Sequence, residues 1–366
     1  MRSSFRATQW LRRGGRSAVV GAVAIAAALG STALALPAAP KPIHASRLGV
    51  ATGAVFWAES PAAQAAELAD LQHLGVRVVR TTFPWSAIEG RGPGSYHWQA
   101  ADSIVAAARA HHISLIAQII GAPQWAVPGL KPGQVSDYSP NPALYAHFVA
   151  VFAARFAPLG VTAYELGNEP NHVRNGNKPN ALTYTRLLCA THRAVKAVAP
   201  RSTVLTGGLG GTKDGPGGIS GPVFVRSLYA DGAKGCFDAI SYHPYTYPQI
   251  APDNGTRGWT GMLNVRALMV ANGDGAKKIW ATEYGAPTNG PSNRHIISEA
   301  SQATILTTAY RLFDSYSWSG PLCWFDYKDK GVNPNDQGDW FGLRRPNGTA
   351  KPALLALVGL ARTAIA

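Results

Sequence analysis

The chain has 366 residues, of which 46% are hydrophobic and 15% are charged, and its formal net charge is +14. A chain of this length and composition can bury one large core, and it carries no repeat of fixed period, which argues against solenoids and propellers. The Lys and Arg residues are scattered rather than gathered into a basic stripe, so we expect no nucleic-acid partner.

The first 35 residues predict a secretory signal. Five arginines lie within the first 16 residues, ahead of an Ala- and Val-rich run over residues 18–29 and the cleavage-like tripeptide Ala33-Leu34-Ala35. The adjacent pair Arg12-Arg13 raises the alternative of twin-arginine export. An uncleaved membrane anchor is a further alternative, because the apolar character continues to Leu36.

These features predict three segments: a signal over residues 1–35, a linker over 36–46 and a single folded domain over 47–366. The protein is then expected to be secreted or associated with the cell envelope, without stable membrane insertion once the signal is cleaved. Its basic surface favours attraction to an anionic envelope.

The three cysteines fit no metal-binding motif. An oxidising compartment permits one disulfide among them, and a bridge between Cys189 and Cys236 stays open at this stage. Cys323 lies in an apolar strand, where we expect it to act as a small buried hydrophobe.

Eight short apolar runs after residue 47 predict β-strands. Several are apolar on both faces, as parallel strands covered by helices are. The predicted strands are Leu48–Ala51, Val76–Arg80, Ile113–Ile119, Val161–Glu165, Thr203–Thr206, Phe237–Tyr242, Lys278–Thr282 and Leu322–Phe325.

Helix-start signals occupy the segments between these strands. Ser60-Pro61 and Asn141-Pro142 each place a capping side chain before a proline, and Gly221-Pro222 and Pro352 open two further amphipathic segments. No dinucleotide-binding glycine motif follows the first strand. Eight alternating strand and helix units therefore predict an α/β fold, a single (β/α)8 TIM barrel, whose chemistry lies at the carboxyl ends of the strands.

Two glutamates end predicted strands on roughly opposite sides of this barrel. The fourth strand runs into Asn168-Glu169-Pro170, and the seventh runs into Thr282-Glu283-Tyr284-Gly285. Burying a carboxylate at a strand end is costly unless the group is paired or functional. Cleavage of a glycosidic bond needs such a pair, one group to protonate the leaving oxygen and one to attack or to activate water.

These two motifs resemble the signatures of clan A retaining glycoside hydrolases. Other strand ends are similar as well: Arg80 at the second, His243-Pro244-Tyr245 at the sixth and Trp324 at the eighth. The segment from Phe83-Pro84-Trp85 to Glu89 and the segment Pro123-Gln124-Trp125 are similar to the family 39 and family 42 branch. Family 5 fits less well, because its members usually carry a histidine at or near the end of the third strand, and residues 118–124 contain none.

The resemblance implies a role for each matching residue. Glu169 is expected to be the general acid/base and Glu283 the nucleophile of a double displacement. Asn168 would bind the sugar 2-hydroxyl, and Arg80 would keep Glu283 ionised. Two further candidates for substrate binding, His243 and Tyr245, could contact either carboxylate. Three aromatic side chains are also candidates: Trp85, Trp125 and Trp324.

Glu165 points into the barrel on the same side of the strand as Glu169, and we expect it to pair with an arginine such as Arg80. The predicted activity is retaining O-glycoside hydrolysis of a poly- or oligosaccharide, with β-linked substrates implied by the resemblance, and with no metal and no cofactor. A transglycosidase with the same residues and a non-catalytic glycan-binding barrel are the alternatives.

Overall fold

The fold is a closed barrel of eight parallel strands, each hydrogen-bonded to the next in chain order and the last to the first. It comes from a computed structural model that describes residues 42–365, apart from positions 54, 128, 130–139, 174–177, 254 and 256. The predicted signal and residues 36–41 of the predicted linker lie outside the described residues. The strands are β1 Leu48–Ala51, β2 Val78–Pro84, β3 Ser114–Ile120, β4 Ala163–Asn168, β5 Thr203–Gly208, β6 Ala239–Tyr242, β7 Lys278–Tyr284 and β8 Ser319–Phe325.

All eight predicted strands are confirmed, and so is the single (β/α)8 barrel. Most of the strands reach further towards their carboxyl ends than the apolar pattern indicated. Strand β2 continues to Pro84 and β4 to Asn168 because the residues beyond the predicted ends still pair with the neighbouring strands. These extensions form the mouth of the barrel.

The helices cover the outside of the barrel. Two of the predicted start signals act as caps: the Ser60 hydroxyl accepts from the Ala63 N–H, and Asn141 Oδ1 accepts from the N–H groups of Ala143 and Leu144. Ten α-helices occur in the described part of the chain: α1 Val55–Ala58, α2 Pro61–His73, α3 Trp85–Glu89, α4 Gln99–Ala110, α5 Pro142–Phe156, α6 Ala181–Val198, α7 Gly221–Ala230, α8 Trp259–Ala271, α9 Glu299–Asp314 and α10 Pro352–Arg362.

The buried apolar residues form two clusters separated by the strands. The larger cluster fills the space between strands and helices. The smaller one fills the barrel with one side chain from most strands, and it comprises Ala51, Val78, Ile116, Ala163, Leu205, Ala239 and Cys323, with Trp280 and Phe325 packed against it. Because this cluster closes the lower barrel, any ligand must approach from the carboxyl ends of the strands.

The two ends of the domain meet beneath the barrel. Ile43 is buried, its carbonyl accepts from the Ile365 N–H, and the Ala45 N–H donates to the Ile365 carbonyl. The folded domain thus begins before residue 47, the boundary predicted from the sequence. Cys189 and Cys236 form a disulfide, and Cys323 is a free, buried thiol, as expected of a small hydrophobe.

Candidate active site

Glu283 is held at the mouth by an irregularity of β7. The pairing of β7 with β8 shifts register between Ala281 and Tyr284. As a result two consecutive side chains turn inward: the Thr282 hydroxyl donates to Glu165 Oε1 at 2.8 Å, and Glu283 Oε1 accepts from Arg80 at 2.6 Å. A regular strand would alternate these two residues between opposite faces.

Glu169 follows β4 in a left-handed backbone conformation with φ of 47°. Its N–H donates to the Gly208 carbonyl at 2.9 Å, which ties it to the end of β5. One imidazole nitrogen, His243 Nδ1, lies 3.2 Å from Glu169 Oε1 and 3.6 Å from Glu283 Oε2. The two carboxylates predicted from opposite sides of the barrel therefore share a single imidazole nitrogen.

Arg80 connects the residues of the site. Its Nε donates to Glu165 Oε2, its Nη1 to Glu283 Oε1 and its Nη2 to Asn168 Oδ1 at 2.9 Å. Only 3% of the Arg80 side chain and none of the Glu165 side chain is exposed. The expected pairing of Glu165 with Arg80 is confirmed. The planar guanidinium group donates hydrogen bonds to the carboxylates of Glu165 and Glu283 at the same time.

The electrostatics of the site favour an ionised Glu283. Burial alone would raise its pKa, but the imidazole of His243 and the guanidinium of Arg80 lower it below the ordinary value for a glutamate. The Tyr245 hydroxyl donates to Glu283 Oε2 at 3.0 Å, and its own pKa is raised well above the usual range by burial and by the charge of Glu283. Tyr245 is therefore a permanent hydrogen-bond donor to this carboxylate.

The sequence left open which of His243 and Tyr245 contacts Glu283 and which contacts Glu169. In the structure Tyr245 hydrogen-bonds to Glu283, whereas His243 makes its shorter contact with Glu169. A Cβ atom at Gly208 would overlap the His243 ring, so this position needs glycine for the imidazole to reach both carboxylates.

The barrel is similar to those of glycoside hydrolases of known structure. A family 39 glycoside hydrolase from Bacteroides cellulosilyticus WH2 superimposes with a TM-score of 0.68 at 22% identity, covering 87% of this chain and 64% of that one. The chain shares its fold with family 39 glycoside hydrolases. It spans less than two thirds of the length of this neighbour.

Two further neighbours have the same barrel. A monomeric β-xylosidase from Caulobacter crescentus CB15 has a TM-score of 0.64 at 19% identity, covering 88% of this chain and 69% of that one. GH5_18 from Streptomyces cattleya has a TM-score of 0.63 at 16% identity, covering 88% and 80%. No family model and no curated protein sequence matches the chain. At these identities the likeness establishes the fold.

One predicted aromatic, Trp324, is not available to a ligand, and that prediction is wrong. The Trp324 side chain is fully buried among the helices, and its Nε1 donates to the Phe341 carbonyl at 3.3 Å. The next residue along β8, Phe325, faces into the barrel instead and is half-buried at the mouth. Adjacent residues of a strand point to opposite faces, so the aromatic side chain of β8 at the mouth is Phe325.

Trp85 is also wrongly predicted as a substrate-binding residue. It is fully buried at the start of α3, stacks on Phe148, and donates from Nε1 to Glu89 Oε2 at 2.7 Å. Trp125 is half-buried, packs edge-on against Trp85, and donates to the Glu89 carbonyl at 3.1 Å. Trp125 thus keeps part of its ring exposed, whereas Trp85 belongs to the core.

Two polar residues of the site were missed from the sequence. Gln118 lies two residues before the end of β3, and its Nε2 donates to Asn168 Oδ1 at 2.8 Å. Thr82 in turn donates to Gln118 Oε1 at 2.6 Å. Asn168 Oδ1 therefore accepts from both Gln118 and Arg80, which fixes the orientation of its amide. A polar residue at the end of a predicted apolar strand was the available signal.

A second histidine, His172, also lies beside Glu169. Its Nδ1 is 3.7 Å from Glu169 Oε2, three residues away along the chain. No group of three or more His, Cys, Asp or Glu side chains within the described segments is arranged to hold a metal ion. The described site is thus a pair of carboxylates surrounded by Arg80, Tyr245 and two imidazoles.

Proposed function

We propose that this protein is a retaining glycoside hydrolase that uses Glu283 as nucleophile and Glu169 as general acid/base. The observation that carries the proposal is the contact of one His243 nitrogen with both carboxylates. The contacts with His243 Nδ1 bring Glu169 Oε1 and Glu283 Oε2 to at most about 7 Å of each other, which allows the roughly 5–5.5 Å spacing of the carboxyl groups in retaining enzymes. Direct attack by Glu283, rather than by a water, is the mechanism that the resemblance to clan A enzymes implies.

The environments of the two carboxylates support this division of labour. Glu283 accepts from the Arg80 guanidinium and the Tyr245 hydroxyl, which hold it ionised and aimed into the mouth. Glu169 lies between the imidazoles of His243 and His172 and close to the negative charge of Glu283. Two neighbouring carboxyl groups resist becoming a pair of anions, so an ionised Glu283 favours a proton on Glu169, as a general acid requires.

The reaction has two steps. In the first, Glu169 gives its proton to the glycosidic oxygen, a Glu283 oxygen bonds to the anomeric carbon, and the bond to the leaving oxygen breaks. In the second, Glu169 takes a proton from water, the water oxygen bonds to the anomeric carbon, and the ester bond to Glu283 breaks. The amide of Asn168, oriented by Arg80 and Gln118, would bind the sugar 2-hydroxyl, a contact that strengthens in the transition state.

The substrate we propose is a β-linked poly- or oligosaccharide. The neighbour from Caulobacter crescentus is a β-xylosidase, so β-xylosides are the first compounds to test. Phe325 and the exposed part of Trp125 offer aromatic surfaces at the mouth on which a sugar ring could stack.

We also propose that the protein is exported and acts outside the cytoplasm, either secreted or associated with the envelope. The pattern of residues 1–35 supports export, and the Cys189–Cys236 disulfide fits an oxidising compartment. Determining the mature N-terminus from a culture supernatant and an envelope fraction tests this proposal. A start near residue 36 is expected, and a chain that keeps Met1 in the cytoplasmic fraction contradicts export.

The activity is tested with a panel of aryl β-glycosides and β-glycans, with NMR detection of the anomeric configuration. We expect retention by the wild type. Glu283→Ala should lower kcat by at least about four orders of magnitude, and azide should restore turnover with an inverted glycosyl azide as product. Activity of Glu283→Ala near that of wild type would remove the nucleophile assignment. Binding of glycans without cleavage of any compound in the panel would indicate a glycan-binding protein instead of a hydrolase. Transfer of the glycosyl group to an added acceptor sugar would indicate a transglycosidase.

A further inference from the structure

The chain after Glu169 forms a turn that is anchored to the loop following β5. The His172 N–H donates to the Glu169 carbonyl at 2.9 Å, with Pro170 and Asn171 between them. Asn171 is fully buried, and its side-chain amide bonds to both the N–H and the carbonyl of Gly210 at 2.9 Å. The turn therefore places His172 and Glu169 side by side against Gly210.

The missing side chain of Gly210 makes room for both groups. A Cβ atom at this position would overlap His172 Nε2 and the carboxyl group of Glu169. Gly208 provides the same space for His243 on the other side. Each carboxylate oxygen of Glu169 thus faces its own imidazole: Oε1 lies 3.2 Å from His243 Nδ1, and Oε2 lies 3.7 Å from His172 Nδ1.

A buried nitrogen indicates which tautomer His172 adopts. Nε2 of His172 is buried and has no hydrogen-bond partner among the described residues. A proton on such a nitrogen would be a buried donor without an acceptor, which costs free energy. The neutral tautomer with its proton on Nδ1 avoids this cost, and it directs the N–H towards Glu169.

We propose that His172 is a positioning residue that stabilises Glu169 as this carboxyl group gives up its proton. This inference rests on the proposed function of Glu169. The distance of 3.7 Å is too long for a hydrogen bond in the resting site. The growing negative charge on Oε2 attracts the Nδ1–H and shortens the contact, so the interaction is stronger in the transition state than in the ground state and speeds the chemical step.

Two amide substitutions separate this role from a structural one. In His172→Asn the amide nitrogen can occupy the place of Nδ1, whereas in His172→Gln it reaches towards the place of Nε2. His172→Ala removes both donors. His147→Ala, at an exposed position on α5, is the control for loss of an imidazole far from the mouth.

The first measurement is kcat/KM for the glycoside that the wild type cleaves, with a poor alkyl leaving group and with a dinitrophenyl leaving group. For the alkyl substrate we expect His172→Ala and His172→Gln to lose about 10- to 100-fold. His172→Asn and His147→Ala should stay within about threefold of wild type, and the dinitrophenyl substrate should respond weakly to every change, because it needs little acid assistance. Equal losses on both substrates, or an Asn variant no better than the Gln variant, would overturn the proposal.

The second measurement does not depend on turnover. In protein labelled with ¹³C at the glutamate carboxyl carbons, Glu169→Gln identifies the Glu169 signal, and its titration midpoint is followed by NMR. Loss of the Nδ1 donor destabilises the carboxylate form, so His172→Ala should move the midpoint to higher pH by about half a unit or more. Among the described residues, the other ionisable groups facing Glu169 are His243, Glu283, Tyr245 and Tyr247, and all four are unchanged in these variants.

The two measurements distinguish failure of the proposed function from failure of the role of His172. If the wild type cleaves no glycoside but the titration midpoint of Glu169 moves in His172→Ala and not in His147→Ala, the interaction of His172 with Glu169 is supported and the proposed hydrolysis is refuted. If glycosides are cleaved but neither the midpoint nor the leaving-group dependence changes, His172 has no positioning role.

Discussion

Replacing Arg80 by methionine would leave a carboxylate in the barrel without its cation. Glu165 is fully buried. Without Arg80, the hydrogen bond from the Thr282 hydroxyl is the one described contact that still stabilises its carboxylate. Breaking a buried ion pair by removing one partner costs about 3–5 kcal/mol, because the remaining charge is uncompensated. The three hydrogen bonds from the guanidinium, two of them to carboxylates, are lost as well. We therefore expect Arg80→Met to lower the free energy of unfolding by about 4 kcal/mol.

The double variant Arg80→Met/Glu165→Gln tests whether the buried charge is the cause. The neutral amide that replaces the Glu165 carboxylate no longer needs the cation, so the double variant should be more stable than Arg80→Met alone by about 2 kcal/mol.

Urea unfolding followed by tryptophan fluorescence measures these differences, with the slope of each transition checked for two-state behaviour. Arg155→Met is the matched control, since Arg155 pairs with Asp102 where both side chains are about 40% exposed, and such a pair contributes about 1 kcal/mol or less. Additive effects of Arg80→Met and Glu165→Gln, or a loss no larger than that of Arg155→Met, would refute the reasoning.

Three further predictions concern catalysis. Glu169→Gln should reduce kcat/KM far more for poor leaving groups than for dinitrophenyl glycosides, and equal losses in the two series would count against the acid role. The pKa of Glu283 is lowered, so activity should persist as the pH falls to the ordinary glutamate value of about 4.3 and be lost only below it. In Arg80→Met the loss of activity at low pH should begin at a higher pH. If it begins at the same pH as in the wild type, Arg80 does not lower the pKa of Glu283. Phe325→Ala should raise KM with little change in thermal unfolding, because the ring lies at the mouth. Trp324→Ala should lower the free energy of unfolding by about 3–5 kcal/mol, because the ring is fully buried. A large loss of stability in Phe325→Ala and a raised KM in Trp324→Ala would contradict the strand register.

Much of the architecture could be predicted because it depends on local patterns. Eight apolar runs separated by helix-start signals are sufficient to indicate the barrel, since parallel strands covered by helices are apolar on both faces. Glu169 and Glu283 were identified because a carboxylate at the end of such a run needs a special environment, whereas Arg80 was identified through the resemblance to clan A glycoside hydrolases. Their convergence on one mouth follows from the parallel order of the strands.

The same property of the strands explains the wrong prediction for β8. Leu322, Cys323, Trp324 and Phe325 are all apolar, so no alternation of polar and apolar residues shows which of them faces the barrel interior. Trp85 was misplaced for a related reason, because position near a strand end does not show whether a ring turns towards the helices or the mouth. Only the pairing of β8 with its neighbours decides this register.

The sequence by itself therefore determined the barrel and the two carboxylates, since each follows from the residue types along single strands, and the resemblance to clan A added the arginine. The tertiary structure alone decided how these residues meet. The register shift in β7 turns both Thr282 and Glu283 inward. Gly208 at the end of β5 and Gly210 just after it leave space for the imidazoles of His243 and His172 beside Glu169. Contacts of this kind join residues from different strands, and no pattern within one strand encodes the space between them.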